Sequence, residues 1–276
     1  MNKLALDDLL HRSLLEDIGF GDITSEAIFS EHHTSQGFLL AKQNLVLAGM
    51  EVFSRVFTLL DDQIQISPYF TDGVLVPAGE KIASMTGNTR SLLAGERVAL
   101  NLLQRMSGIA TQTRRYVDAL NGFSTIIVDT RKTTPGLRML EKYAVTVGGG
   151  KNHRYGLDSM VLIKDNHIQA AGGITAAVQL VRNQGACFRK IEVETENLLQ
   201  VQEALSVGAD IIMLDNMHIN VIKQAVKMID RKALIEVSGN VVLARVVELA
   251  AAGVDIISSG ELTHSVKTAD ISMRLV

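Results

Sequence analysis

Beyond Asn121, the chain alternates short runs of β-branched and apolar residues with amphipathic segments. Nearly continuous apolar strands separated by helices are typical of a parallel sheet that is buried on both faces. The predicted strands are 125–129, 160–164, 190–194, 211–215, 233–237 and 255–259. The predicted helices lie between most of them; the first follows Pro135, a residue favoured in a first turn, and the others span 173–183, 196–208, 218–229 and 240–253.

The first hundred residues show a different pattern. Leucines at helical spacing predict a helix over 3–16, and shorter signals predict strands and one further helix up to Gly87, an α+β unit. Residues 92–120 are helical in pattern, with Ser107 and Gly108 inside. Because glycine in a helix interior costs about 1 kcal/mol relative to alanine, we expect a break or kink near Ser107. Arg105 would then lie near an exposed helix tip.

An internal similarity favours a barrel for the second half. Residues 191–215 and 235–260 share a strand, a helix and a second strand, at the spacing of successive β-α-β units. An open doubly wound sheet would normally carry a glycine-rich fingerprint after its first strand, and 125–133 has none. The predicted fold class is α/β, with an N-terminal α/β sandwich domain and an open β/α barrel of about seven strands.

Composition narrows the function classes. The net charge of −3 and the pI near 6.2 argue against a nucleic-acid binder. No apolar tract of membrane-spanning length occurs, and early acidic residues argue against a secretory signal, so no membrane partner is expected. The single cysteine, Cys187, cannot form an internal disulfide, which favours the cytoplasm. We interpret Cys187 as a small buried hydrophobic residue.

Positive charge concentrates in residues 129–167. This stretch holds seven Lys and Arg against four Asp and Glu, in a chain that is acidic overall. A pocket for an anion would explain the excess, and so would an ordinary solvated basic face. Charge alone does not separate these two interpretations.

Polar residues end almost every predicted strand, which is where a β/α barrel builds its site. Cations and histidine could surround an anion with more than one carboxylate or phosphate: Arg131, Lys132, His153, Arg154 and Lys164. Glu194 and Asp215 could hold Mg²⁺ beside phosphates or bind ribose hydroxyls. Serine-glycine pairs at 238–239 and 259–260 suit a phosphate monoester. These residues predict an enzyme that binds a polyanion and a phosphorylated sugar, but they do not identify the substrate.

Long, mutually ordered motifs resemble the quinolinate phosphoribosyltransferase family over nearly the whole chain. They lie at 16–25, 101–115, 129–145, 148–157, 161–168, 192–197, 208–216, 236–240 and 258–265. The resemblance implies an N-terminal sandwich domain over 1–110, joined by residues 266–276, and a catalytic open barrel over 111–265. It also implies a homodimer, with a hexamer left open, in which the N-terminal domain of one subunit covers the barrel mouth of the other.

The resemblance further implies a reaction and a set of roles. Quinolinate and phosphoribosyl pyrophosphate would give nicotinate mononucleotide, CO₂ and pyrophosphate, with Mg²⁺ as cofactor. Quinolinate would contact Arg131, His153, Arg154 and Lys164, with Arg105 entering from the partner subunit. Lys132 would lie between the substrates, and Lys132, Glu194 and Asp215 would be catalytic. Glu194 and Asp215 would contact the ribose hydroxyls and, directly or indirectly, Mg²⁺; the 5′-phosphate region would comprise Ser238, Gly239, Asn240, Gly260 and His264.

Two positions depart from the family pattern. Asn240 follows Gly239 where a second glycine is common, and Thr146-Val147 replace an Arg-Cys pair, which removes one cation.

Two other functions stay open at this point: a paralogue with the same fold, such as a molybdenum-transport-associated protein or a transferase for another pyridine acid, and a non-catalytic phosphosugar-binding protein. The Glu194 and Asp215 pair argues against the binder, because two more negative charges would not help to hold phosphates.

Overall fold

A computed structural model describes residues 1–185 and 189–276, so the interpretation of Cys187 lies outside the described residues. The chain divides into two compact units. The first comprises 1–114, 134–149 and 265–276, and the second 115–133 and 150–264. The domain boundaries given above stay predictions. In the described part of the chain, no helix is both long and apolar enough to cross a membrane.

The first unit is built on an antiparallel sheet of four strands. These are β1 (Thr34–Ala41), β3 (Gln65–Pro68), β5 (Lys81–Asn88) and β12 (Ile271–Leu275), in the order β12-β1-β5-β3. The short strands β2 (Leu45–Val46) and β4 (Leu75–Val76) form a separate pair. Three helices precede β5: α1 (Lys3–Ile18), α2 (Ile23–Ile28) and α3 (Met50–Leu60). The buried face of β1 and the apolar side of α3 form the core, with Leu39, Phe53 and Phe57 fully buried.

The predicted break near Ser107 is wrong, because α4 runs without interruption over Thr89–Ala119. The Ser107 hydroxyl accepts a hydrogen bond from the Ala48 N–H at 3.1 Å. At Gly108, an added Cβ would lie 2.3 Å from the carbonyl oxygen of Lys267. Serine and glycine therefore serve close packing of the helix against neighbouring backbone, and Arg105 lies inside the helix rather than at its tip.

Among its described residues, the second unit contains six parallel strands in the order β6-β11-β10-β9-β8-β7. The strands are β6 (Ile126–Val128), β7 (Val161–Ile163), β8 (Ile191–Thr195), β9 (Ile211–Asp215), β10 (Leu234–Ser238) and β11 (Ile256–Ser258). Lys151 adds a parallel bridge at Val128, on the free side of β6. Among the described residues β6 and β7 are not paired with each other, so the predicted open barrel is confirmed.

Helices follow the strands as predicted. They are α5 (Arg138–Val147), α6 (Asp165–Ala171), α7 (Ile174–Asn183), α8 (Leu198–Ser206), α9 (Ile219–Ile229), α10 (Val246–Ala251) and α11 (Glu261–His264). The structure adds α6 and α11, which the sequence pattern did not predict. Helix α5 starts three residues after Pro135, which lies in a turn, and a 3₁₀ turn at Leu243–Arg245 precedes α10. Lys142 on α5 is one of the seven cations of the basic stretch 129–167 and is only 1% exposed, so it does not belong to a solvated basic face.

Arg105 and Glu141 form an ion pair inside the first unit. Arg105 Nε donates to Glu141 Oε1 at 2.7 Å, and Nη2 donates to the Thr134 hydroxyl at 2.7 Å. The Glu141 side chain is 1% exposed. A buried carboxylate depends on such a partner, because its removal leaves a charge without solvent.

We expect Arg105→Ala to lower the free energy of unfolding by roughly 1–3 kcal/mol, since the Glu141 carboxylate loses a charged donor and keeps the N–H of Thr134. Arg97→Ala on the same helix is the control, because Arg97 is exposed. Urea unfolding of both variants is the measurement. Equal stability of the two variants would contradict a structural role for the ion pair.

Candidate functional site

The predicted site residues, Arg105 excepted, lie in the second unit, at the carboxyl ends of its strands or in the loops that follow. Ser238 on β10 pairs with Asp215 on β9, and Glu194 on β8 pairs with Met213. Paired residues of parallel strands share a face of the sheet, and Met213 and Asp215 are two residues apart. Glu194, Asp215 and Ser238 therefore project from one face, at the rim of the barrel.

Arg131 and Arg154 form a cationic pair. Burial lowers the pKa of Arg154, and the nearby charge of Arg131 lowers it further. The Arg154 guanidinium also reaches the carbonyl oxygen of Met160 at 3.4 Å. A guanidinium group whose charge is disfavoured by a neighbouring guanidinium gains stability when an anion binds beside it. This arrangement favours the anion-pocket interpretation of the basic stretch.

Lys164 and Glu194 form an ion pair between the ends of β7 and β8. The Lys164 side chain is 43% exposed, whereas that of Glu194 is 10% exposed. Solvent screens a pair with one exposed partner, so a substrate anion can take over the lysine at little cost. The pair joins a cation that the resemblance predicts to bind quinolinate with a carboxylate that it predicts to bind the sugar.

Lys132, Gly260 and His264 pack together at the end of β11. A Cβ on Gly260 would lie 2.8 Å from His264 Cδ2 and 3.0 Å from Lys132 Cδ. The Thr263 hydroxyl donates to the carbonyl oxygen of Lys132 at 2.8 Å. Glycine is therefore needed at 260 for this close approach, and the contact brings Lys132 to the predicted phosphate region.

Asn216, which sequence reasoning missed, connects β9 to the loop after β10. Its Nδ2 donates to Asp215 Oδ2 at 2.7 Å, and its Oδ1 accepts from Asn240 Nδ2 at 3.0 Å. Asn216, Gly239 and Asn240 all have positive φ angles, of 53°, 87° and 48°. Asparagine tolerates this conformation better than most residues. The sequence signal that could have identified this contact was the presence of two asparagines, Asn216 and Asn240, just after strand ends.

His153, Glu192 and Glu236 form a buried cluster below the rim. His153 Nε2 lies 3.1 Å from Glu192 Oε2 and 3.4 Å from Glu236 Oε2. Burial alone would lower the pKa of His153, whereas the hydrogen bond to Glu192 and the charge of Glu236 raise it. Burial raises the pKa of Glu192. Sequence reasoning missed both glutamates because it considered only strand ends; a carboxylate inside an apolar strand was the signal.

Two sets of side chains have the donor chemistry for a metal ion. In the described residues, His153, Glu192 and Glu236 are the group of three with ligand atoms within 4.8 Å of one another. Glu194 and Asp215 offer carboxylate oxygens at the rim, where phosphates and water could complete the coordination of Mg²⁺. The hard oxygen donors of the rim pair fit Mg²⁺ better than a set that includes imidazole.

Comparisons with known proteins agree over the full chain. Residues 22–107 match the family model "Quinolinate phosphoribosyl transferase, N-terminal domain", and residues 109–274 match its C-terminal counterpart. A probable nicotinate-nucleotide pyrophosphorylase [carboxylating] from Synechocystis is 48% identical, over 99% of this chain and 93% of that protein. The counterpart from Bacillus subtilis is 46% identical, over 99% and 94%. The crystal structure of NadC from Streptococcus pyogenes is 43% identical, over 100% and 98%, with a TM-score of 0.96.

We expect Gly239→Ala to destabilise the chain more than Gly122→Ala does. Both glycines have φ near 90°, where a side chain costs about 1–2 kcal/mol. Only at Gly239 would the Cβ also meet a side chain, 2.2 Å from Asn216 Oδ1, whereas nothing lies within 4 Å at Gly122. Urea unfolding measures both, and adding Asn216→Ala should recover the difference. Equal losses for the two glycine variants would refute the contact.

Proposed function

The chain belongs to the quinolinate phosphoribosyltransferase family, and we propose that it transfers the phosphoribosyl group of phosphoribosyl pyrophosphate to quinolinate. The products are nicotinate mononucleotide, CO₂ and pyrophosphate, a step of NAD synthesis. The observation that supports this proposal best is the separation of cationic from acidic side chains at the carboxyl end of one sheet. Arg131 and Arg154 suit a dicarboxylate, and Glu194 and Asp215 suit the ribose beside it.

The cations bind and orient quinolinate. Two carboxylates on neighbouring ring carbons relieve the repulsion between Arg131 and Arg154, and Lys164 offers a third positive charge. Each contact fixes the plane of the pyridine ring, so that the ring nitrogen faces the sugar. Orientation of this kind can supply much of the rate enhancement, because it turns a bimolecular encounter into a positioned one.

The sugar donor binds along the rim. Glu194 and Asp215 accept hydrogen bonds from the ribose hydroxyls, and the loop with Ser238, Gly239 and Asn240 holds the 5′-phosphate together with Gly260 and His264. Lys132 lies next to Gly260 and His264. Its ammonium group therefore serves the region between the two substrates.

Glu194 and Asp215 are the residues that would hold Mg²⁺, either directly or through water. When bound, the ion neutralises charge on the pyrophosphate. As the C1–oxygen bond breaks, pyrophosphate takes the electron pair and the ring nitrogen bonds to C1. The carboxylates at the rim favour the positive charge that develops on the sugar. The cationic ring then accepts the electrons of the departing carboxylate, and C2 takes up a proton.

A homodimer with shared sites completes the proposal, and a hexamer of such dimers is compatible with it. Large apolar side chains are exposed near the start of the chain, as expected of a surface that a second copy covers: Leu4, Leu15, Phe20, Ile23 and Ile28. Arg105 of one subunit would reach the quinolinate of the other. The single cysteine favours the cytoplasm as the location.

Purified protein mixed with quinolinate, phosphoribosyl pyrophosphate and Mg²⁺ should release CO₂ and nicotinate mononucleotide in equal amounts. Radiolabelled CO₂ and chromatography of the nucleotide measure the two products. Nicotinate in place of quinolinate is the control, and it should give no product because it lacks the second carboxylate. Turnover of nicotinate without turnover of quinolinate would overturn the proposal.

Mixing Arg105→Gln with Lys132→Ala should restore part of the activity that each variant lacks. A hybrid dimer would contain one site with neither substitution, provided that Arg105 acts across the interface. Differently tagged subunits allow the hybrid to be isolated, and thermal melting verifies that each variant folds. An isolated hybrid without activity would exclude the shared site.

A further inference from the structure

Glu192 and Glu236 lie one step below the rim of the barrel, on either side of β9. Glu192 precedes Glu194 by two residues, and Glu236 precedes Ser238 by two, so each projects from the same face as its rim residue. Both occupy the middle of an Ile-Glu-Val run, at the same step of the internal similarity. Their side chains are 0% and 1% exposed.

Few hydrogen bonds offset the unfavourable burial of these two carboxylates. Both oxygens of Glu236 and Oε1 of Glu192 have no hydrogen-bond partner among the described residues, and the ion-pair partner of Glu236 Oε2 is His153 Nε2, 3.4 Å away. Burying a carboxylate without full hydrogen bonding is unfavourable, and a well-packed apolar residue would be at least as stable. Stability therefore does not explain two glutamates here, and a role in the function of the site does.

The ring of His153 is fixed through both nitrogens. Nε2 faces the two carboxylates, and Nδ1 accepts the N–H of Arg154 at 2.8 Å. The carboxylates beside Nε2 favour a proton on that nitrogen, and the Arg154 contact requires a bare Nδ1. The contact decides the tautomer, because two N–H groups facing each other at this distance repel. The ring proton is therefore on Nε2 and is donated to Glu192.

A metal ion is a weaker explanation of the same cluster. A histidine that binds a metal through Nε2 donates its other N–H to an acceptor. Here the other nitrogen, Nδ1, is itself the acceptor. The three ligand groups lie close together, but the ring is held in the wrong tautomer for coordination.

We propose that Glu192 and Glu236 are positioning residues of the quinolinate subsite, which hold the Nε2–H of His153 so that Nδ1 fixes the backbone of Arg154. The inference rests on the proposed function and changes the role of His153. Both ring nitrogens are engaged within the chain, so the ring of His153 acts on the backbone of Arg154. The backbone of His153 is fixed as well, since its N–H donates to the buried Asp129 at 2.9 Å.

Substitutions at 192 separate hydrogen bonding from packing. Glu192→Gln keeps an oxygen that accepts the Nε2–H, whereas Glu192→Leu has a similar volume and no acceptor. We expect Glu192→Leu to raise the KM for quinolinate by roughly 10-fold or more, the loss that accompanies one charge-assisted hydrogen bond. Glu192→Gln should recover most of it, and the KM for phosphoribosyl pyrophosphate should stay unchanged in both. Glu248→Leu, at an exposed position of the same unit, is the control.

Glu236→Gln separates function from stability. Removal of a buried charge that lacks hydrogen bonds should leave Tm equal or higher, while the KM for quinolinate rises. A purely structural glutamate would instead lower Tm and affect both substrates. Equal losses for Glu192→Gln and Glu192→Leu, a rise in both KM values, or wild-type kinetics in Glu192→Leu would each overturn the proposal.

The tautomer can be measured without any turnover. In protein labelled with ¹⁵N-histidine, His153 is assigned by the signal that His153→Gln removes from the seven histidines. We expect a protonated Nε2 and a bare Nδ1 at neutral pH, unchanged by EDTA or by added Zn²⁺. Protonation of Nδ1, or a shift of Nε2 on adding Zn²⁺, would refute the positioning role. If quinolinate is not turned over, the proposed function fails, and this spectrum still decides the arrangement of the cluster.

Discussion

The parallel sheet of the second unit imposes one constraint on everything at its carboxyl edge: charged side chains from neighbouring strands must lie close together. Strands are about 4.8 Å apart, so residues at paired positions cannot avoid each other. Asp215 pairs with Ser238, and Lys164 meets Glu194 across adjacent strand ends. The edge is therefore a place where opposite charges neutralise each other until a charged substrate replaces one partner.

The same constraint explains why the site divides into two halves. Cations follow β6 and β7 and the loop between them, whereas carboxylates end β8 and β9. A dicarboxylate and a phosphosugar can then lie side by side, each against groups of suitable charge. The contact of Lys132 with Gly260 and His264 connects the cationic half to the phosphate region. Bringing two anions together requires such a positive group between them.

The sequence predicted the strands, the open barrel and the strand-end residues. Apolar β-branched runs mark the strands locally, and the residue that ends each run can be read directly from the sequence. Prediction failed where distant backbone decided the outcome. Gly108 looked like a helix break, but it is packed against Lys267, which follows it by more than 150 residues. A solvated face was one interpretation of the basic stretch 129–167, and Lys142 within it is buried. Glu192 and Glu236 were overlooked because their charge becomes meaningful only when β8 and β10 flank β9 around the His153 ring.

The buried carboxylates also address a problem that any anion pocket has before its substrate arrives. The charge of Arg131 disfavours the charge of Arg154, so Arg154 gains from a counter-charge that does not occupy the place of the substrate. Glu192 favours the charged form of Arg154 from below the rim, where no substrate carboxylate can bind. Carboxylates at the mouth would instead compete with quinolinate for the guanidinium groups. Placing them one step down the strands keeps the cations together and the binding face positive, at the expense of two poorly hydrogen-bonded buried charges.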